Sequence, residues 1–324
     1  MSQEQTIRRI SEKQEAMTLA PYAQRSELTR GRQDSEENCR IRTAYQRDRD
    51  RIIHSESFRK LKGKTQVFIL KHESYRSRLT HTLELSQIAR TIARALRLNE
   101  DLIEAIALGH DLGHTCFGHS GEEILDTMTG HFSHNEQSLR VVDYLERNGR
   151  GLNLTLEVRD GILNHTGEGI PVTMEGKLVK IADRITYLCH DIQDSVSAGI
   201  LTLDEIPLSI RKALGDTHSE RVNAFVQDMV LETMKELKND NSTRIHQSPH
   251  MEEIMHELRA FMFQRVYNGE TCMKEKEKAA HIVTFLFQQY SRRMNQRDAV
   301  DLVAGLTDSY AIKEFQDFVI PMPQ

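Results

Sequence analysis

Along most of the chain, apolar residues recur at intervals of three and four, the spacing of one helix face, and they almost never alternate strictly. Over 77–99, Leu79, Leu83, Ile88, Ile92 and Leu96 mark a helix that Asn99 is placed to end. Over 177–196 the stripe is Val179, Ile181, Ile185, Leu188 and Ile192. Between these lies EDLIEAIALGHDLGHTCFGHSGEEILDTM, which predicts a helix, a corner broken by Gly109, Gly113, Gly118 and Gly121, and a second helix. FSHNEQSLRVVDYLE starts another helix before the turn RNGRGLN, and a polar loop is expected over 166–176. The stretch 41–68 predicts a charged helix ending in a turn at Gly63. From 203 to 324, amphipathic helices alternate with joints at 215–218, 238–250 and 267–273. The polar start, 1–38, reads as a short helix at most, or an arm lying against the body or a neighbouring subunit. The fold class is therefore all-α. The expected organisation is an arm over 1–39, a catalytic core over 40–200, and a mainly architectural helical part over 201–324 packed on that core.

Composition changes this picture in three places. The balance of 43 Lys+Arg against 48 Asp+Glu gives a formal charge of -5, which excludes a generally basic nucleic-acid coat. Residues 40–64 run the other way, with nine Lys/Arg against three Asp/Glu, a local excess of the kind that meets phosphate. No apolar run approaches the roughly 20 residues needed to cross a bilayer, and the start has no signal-peptide core, so a cytoplasmic protein with no membrane partner is expected. The four cysteines, Cys39, Cys116, Cys189 and Cys272, are scattered and form no Cys-x-x-Cys pair, which suits buried thiols in a reducing compartment.

Histidine is the anomaly: seven of the 15 fall from His110 to His190. The doublet His110–Asp111 closes an apolar helix just before the corner, where two adjacent polar groups can enter one cavity only if the break turns them together. His81 lies one turn into its helix, and Asp183 sits within the otherwise apolar KIADRITYL. Imidazole with carboxylate suits a borderline or hard divalent ion. Taken singly, His81 reads equally as a capping histidine, Asp183 as an arginine's partner, and the doublet as a helix cap. Asp183, Tyr187 and Asp191 are four apart and so form one stripe, roughly 6 Å per step.

The stretches RTAYQRDRDRIIHSESFRKLKGKTQVF, SRLTHTLELSQIARTIARAL, EAIALGHDLGHTCFGHSGE, FSHNEQSLRVV, LTLEVRDGIL, KIADRITYLCHDIQDSVSAGI and DLVAGLTDSYA resemble the HD superfamily and, more narrowly, the bacterial deoxyguanosinetriphosphate triphosphohydrolase-like proteins. That resemblance implies an HD-domain helical fold in which His81, His110, Asp111 and Asp183 are metal ligands. The ion would be Mn²⁺ or Mg²⁺, with Co²⁺, Ni²⁺ and Fe²⁺ as substitutes. The resemblance further implies catalytic roles for His119 and Glu122, with His114 and His134 lining the pocket. Arg78 would grip the α-phosphate, Tyr187 would pack on the sugar, Asp191 would accept from the 3′-hydroxyl, and Gln46 would meet the base or sugar edge. Where the family corner carries proline before Phe117, this chain has Cys116, which is expected to loosen the turn. The implied activity is hydrolysis of a deoxynucleoside triphosphate to deoxynucleoside and inorganic triphosphate, in a homo-oligomer with dNTPs as substrate and effector. Two alternatives stay open: an HD phosphohydrolase of nucleoside monophosphates or signalling nucleotides, and a nucleotide-sensing or nucleic-acid-binding regulator.

Overall fold

The computed structural model describes residues 6–67, 75–239 and 244–321. Phe68, at the end of the basic stretch, and 240–243, within the joint expected at 238–250, lie outside them. The helices are α1 Ile7–Thr18, α2 Ala44–Ile53, α3 Glu56–Lys60, α4 Arg78–Leu96, α5 Glu100–Gly109, α6 His119–Thr129, α7 His134–Arg140, the short turn α8 Glu146–Gly149, α9 Leu156–Asn164 and α10 Met174–Ser197. They continue as α11 Leu208–Leu214, α12 His218–Asn239, α13 Pro249–Met262, α14 Glu270–Ser291, α15 Gln296–Ala304 and α16 Asp308–Val319. No strand forms among the described residues; Arg32–Thr155 and Thr65–Ser77 are isolated antiparallel bridges. The all-α expectation is met.

The elements that carry the site are α4, α5 and α10, which pack on one another. Leu85, Ile88, Ile92 and Leu96 of α4 are buried, as are Leu178, Val179, Ile185, Leu188 and Ile192 of α10. Leu83, expected in the stripe, points outward and is 50% exposed. Asn99 does not end α4. That helix stops at Arg97, in the left-handed conformation at φ 56°, and Asn99 caps α5 by accepting from Asp101 N and Leu102 N. Beyond 200, residues from Ile206 to Val266 join the main core, whereas α14, α15 and α16 form a second cluster around Cys116, Phe117, Leu125 and Phe132. The joint expected at 267–273 shrinks, because a π-helical turn, Phe263–Tyr267, runs almost into α14.

Residues 6–39 lie against the body. Glu15 of α1 accepts from Ser26 N and Oγ at 2.7 and 2.8 Å. Glu175, at the start of α10, accepts from both Gln24 N and Asn99 N at 3.0 Å, tying this segment to the α4–α5 junction. Burial pushes the Glu175 carboxyl up to about 7 from an ordinary 4.5, against the pull of those two amides. A raised acid stabilises the fold in its protonated form, so this contribution is full below about pH 4.5 and is lost as pH rises through 7. Glu175→Gln removes the titration, and its urea midpoint should fall less than the wild-type midpoint between about pH 5 and about pH 8. Equal slopes would remove Glu175 as the source.

Candidate functional site

The break after α5 does what the doublet needs. His110 caps α5 and donates from Nδ1 to the Ala107 carbonyl at 2.7 Å, which fixes the ring and turns Nε2 towards the neighbouring carboxylates. That Nε2 is buried with no hydrogen-bond partner, 3.4 Å from Asp111 Oδ2 and 3.8 Å from Asp183 Oδ1. His81, from α4, places Nε2 3.0 Å from Asp183 Oδ1. Facing donor atoms of His81, His110 and Asp111 lie within 4.8 Å of one another. Burial opposes charge on His110, yet Asp111 and Asp183 raise it to about 9. Both carboxyls are held below their ordinary values: burial opposes this, His110 and Arg78 overcome it at Asp111, and His81 and His110 do so at Asp183. Without a bound cation, His110 holds this second proton on Nε2 between the two carboxylates, in the place a cation would take. The unpartnered His110 Nε2, once its proton is displaced, and the mixed imidazole–carboxylate set fit a divalent ion.

Next to it lies a second group. Glu122, in the first turn of α6, meets His119 Nδ1 at 3.0 Å and His134 Nδ1 at 2.8 Å. Burial alone would raise Glu122; the bonds from His119 and His134 hold it far below the carboxylate range. His114 is fully buried, stacks on His134 with ring centroids 4.4 Å apart, and has neither ring nitrogen hydrogen-bonded. Burial pushes His114 well down, helped by Arg78 and His134, so its ring is neutral. Glycine is required at two points of this corner. Gly118 sits at φ +60° with Thr65 O 3.0 Å from where a Cβ would be, and at Gly113 a Cβ would lie 2.1 Å from Ser138 N. The looseness expected from Cys116 does not arise: Asp308 of α16 accepts from Phe117 N at 2.8 Å, and Thr115 Oγ1 donates to Gly118 O at 2.9 Å.

Both groups open into a cavity of about 420 Å³. Arg78 lines it and donates to Asp111 Oδ2 at 2.5 Å. The stripe Asp183, Tyr187 and Asp191 also faces it. Asp191 differs from a plain acceptor: it receives the Tyr267 hydroxyl, and burial pushes its carboxyl up to about 8, so it is protonated at neutral pH. Tyr267, Arg259, Phe263 and Lys276 form the far wall, which corrects the expectation that 203–324 is mainly architectural. Gln46 stands outside the lining. Its Oε1 accepts from Thr43 N and its Nε2 donates to Asp101, completing the cap of α2. The glutamine that lines the cavity is Gln66. The basic excess of 40–64 is answered in part by acids from outside the stretch, through Arg47–Glu36, Arg51–Glu36, Arg49–Asp101 and Arg49–Glu104.

Residues 78–188 match the HD domain family and 245–296 the phosphohydrolase-associated domain. A deoxyguanosinetriphosphate triphosphohydrolase-like protein of Caldanaerobacter subterraneus subsp. tengcongensis is 47% identical, over 98% of this chain and 97% of its own. Proteins of the same description from Desulfatibacillum aliphaticivorans and Clostridium perfringens are 43% and 45% identical, each over at least 97% of both chains. The chain belongs to the deoxyguanosinetriphosphate triphosphohydrolase-like family. It is thus an HD-type hydrolase, and no helix among its described residues is long and apolar enough to cross a membrane.

Two features of this family member escape sequence reading. His165, at the end of α9, repeats the His110 device, with Nδ1 on the Ile162 carbonyl at 2.7 Å and Nε2 3.2 Å from His134 Nε2. A histidine closing an apolar helix was the available signal. Tyr267 had none, since 76 residues separate it from Asp191.

Asp183→Ala should melt cooperatively yet bind little Mn²⁺ by metal analysis; full occupancy would dismiss the ligand set. Gly113→Ala forces a Cβ against the Gln137–Ser138 backbone and should cost about 3 kcal/mol or more in urea unfolding. A wild-type midpoint would show that the corner has room.

Proposed function

We propose that the protein hydrolyses a deoxynucleoside triphosphate to the deoxynucleoside and inorganic triphosphate. The observation that carries this reading is the Asp183–Tyr187–Asp191 stripe facing one cavity, with the cluster of carboxylates and imidazoles at one end and the Tyr267–Asp191 pair at the other. The relatives' shared description, which names dGTP, supports the same class. The cavity volume falls within the range of small-molecule sites.

His81, His110, Asp111 and Asp183 would hold the divalent ion, Mn²⁺ or Mg²⁺, and the ion when bound would offset negative charge on the phosphate oxygens. Arg78, forked and permanently charged, is placed to bind the α-phosphate while Asp111 fixes its orientation. Water attacks the α-phosphorus and the 5′-oxygen of the nucleoside leaves. The Glu122 carboxylate engages Nδ1 of both His119 and His134, orienting the rings so that Nε2 of His119 can handle a proton at the water or the leaving oxygen. The Tyr187 ring closes on C2′ and disfavours a ribose hydroxyl. Asp191, protonated, can donate to or accept from the 3′-hydroxyl.

Incubating metal-loaded protein with each dNTP and NTP, and separating triphosphate from pyrophosphate, tests the reaction. Triphosphate with free deoxynucleoside is expected; a monophosphate product would move the assignment to another HD phosphohydrolase class. His119→Ala should lower kcat by roughly 10²-fold with metal content retained. Tyr187→Ala should narrow the preference for dNTP over NTP. Because Asp191 is neutral, Asp191→Ala should reduce kcat/KM for a dNTP by only roughly 2- to 10-fold, the scale of an uncharged hydrogen bond. A loss of roughly 100-fold would show that Asp191 works as a carboxylate.

A further inference from the structure

Next to the His81 ring, three potential donors from three helices converge. His190 of α10 stands edge-on to His81 with ring centroids 5.6 Å apart, and it is fully buried. Its Nε2 lies 2.5 Å from Glu84 Oε2 of α4. That approach pairs the two groups directly, while Nδ1 of His190 is buried with no hydrogen-bond partner. His218, the first residue of α12, brings its ring within 5.5 Å of His190, and its Nδ1 meets the Cys189 carbonyl at 3.3 Å. An Nδ1–H on a backbone carbonyl is the common outer contact of a ligating histidine, and it leaves Nε2 as a lone pair. Donor atoms of all three residues lie within 4.8 Å of one another.

We propose that Glu84, His190 and His218 form a second divalent-cation site, suited to Zn²⁺, separate from the HD site. Two imidazoles and one carboxylate are a familiar zinc set, with water completing the shell. Water has access, since His218 is half-buried and the Glu84 side chain is 39% exposed. The competing cation is Arg76, whose Nε reaches both Glu84 oxygens at 3.1 Å. Arg76 does not depend on Glu84 alone: its Nη1 is held by Asp194 at 2.6 Å and its Nη2 by Gln193 at 2.7 Å. Glu84 can therefore keep one oxygen on Arg76 and turn the other to the ion. The two sites share no ligand, but the contact of His190 with His81 puts them one ring apart. An ion here would hold α4, α10 and α12 together.

The test is Zn²⁺ titration of chelator-stripped, full-length protein, read by competition with a chromophoric chelator and by melting. Asp183→Ala should retain one tightly bound equivalent, and adding His218→Ala to it should remove that equivalent. His218→Cys, which keeps a zinc-binding atom, should restore it in the Asp183→Ala background. Zn²⁺ should also raise the Tm of Asp183→Ala but not that of the double variant. Failure of the Asp183→Ala protein to bind any zinc, or retention of its zinc when His218 is also replaced, would overturn the second site. An error in the HD assignment reads differently, as Asp183→Ala binding as much metal as wild type.

Discussion

Charge buried beside charge is the constraint on which this structure rests. Asp111 is almost fully enclosed, and a carboxylate so placed is untenable without an answering cation. Arg78 supplies it from the first turn of α4, itself only 2% exposed. That single pair sets the rotation of α4 against the corner, and with it the position of His81, three residues further along the same helix. The pair leaves Asp183 and His110 Nε2 facing each other, where a cation from outside could complete the balance. The protein thus assembles a site that is nearly balanced within itself, and ligand chemistry finishes it.

The corner that bears Asp111 could not stay in place through α5 and α6 alone. Lys64 is buried and donates from Nζ to the carbonyls of His114 and Ala304. Burial pushes its ammonium down to about 8, with Cys116 and Asp308 opposing. Asp308 adds bonds to Thr65 N and Phe117 N. Asp301 of α15 binds Arg140 and Gln137 of α7, the helix that begins at His134. The DLVAGLTDSYA stretch therefore acts as a polar clamp on the corner that bears Asp111 as well as a packing surface, and its two aspartates do most of that clamping. Gly113 and Gly118 are the counterpart, since a Cβ there would press on the backbone of Ser138 and Thr65, in segments the clamp holds.

How much of this was legible depended on the range of the interaction. The helices α4 and α10 could be read because each buries one face along its length, and apolar spacing records that directly. Leu83 was misread because the buried arc of α4 is narrower than the sequence stripe, as the exposed side chain shows. Asn99 was misread through a local ambiguity: asparagine both ends helices and begins them, and here Arg97 ends one while Asn99 begins the next. Gln46 had a better local reading than a nucleotide contact, for Thr43 and Gln46 stand three apart as a capping box does.

The candidate site divides along the same line. His110 and Asp111 were visible because helix, doublet and glycines are contiguous, and the stripe at 183, 187 and 191 because helix periodicity places it on one face. The upward shift of Asp191 was not visible, since it follows from burial under another part of the chain and prevails over the opposing hydrogen bond from Tyr267. Under the proposed function this matters at the end of the cavity where the sugar would lie. A carboxylate there would repel the triphosphate and accept only; a neutral acid does neither. The wall from 259 to 276 therefore does more than close the cavity: by burying Asp191 it sets which hydrogen bonds the site can make, a property that resides in no motif and arises only when two distant segments meet.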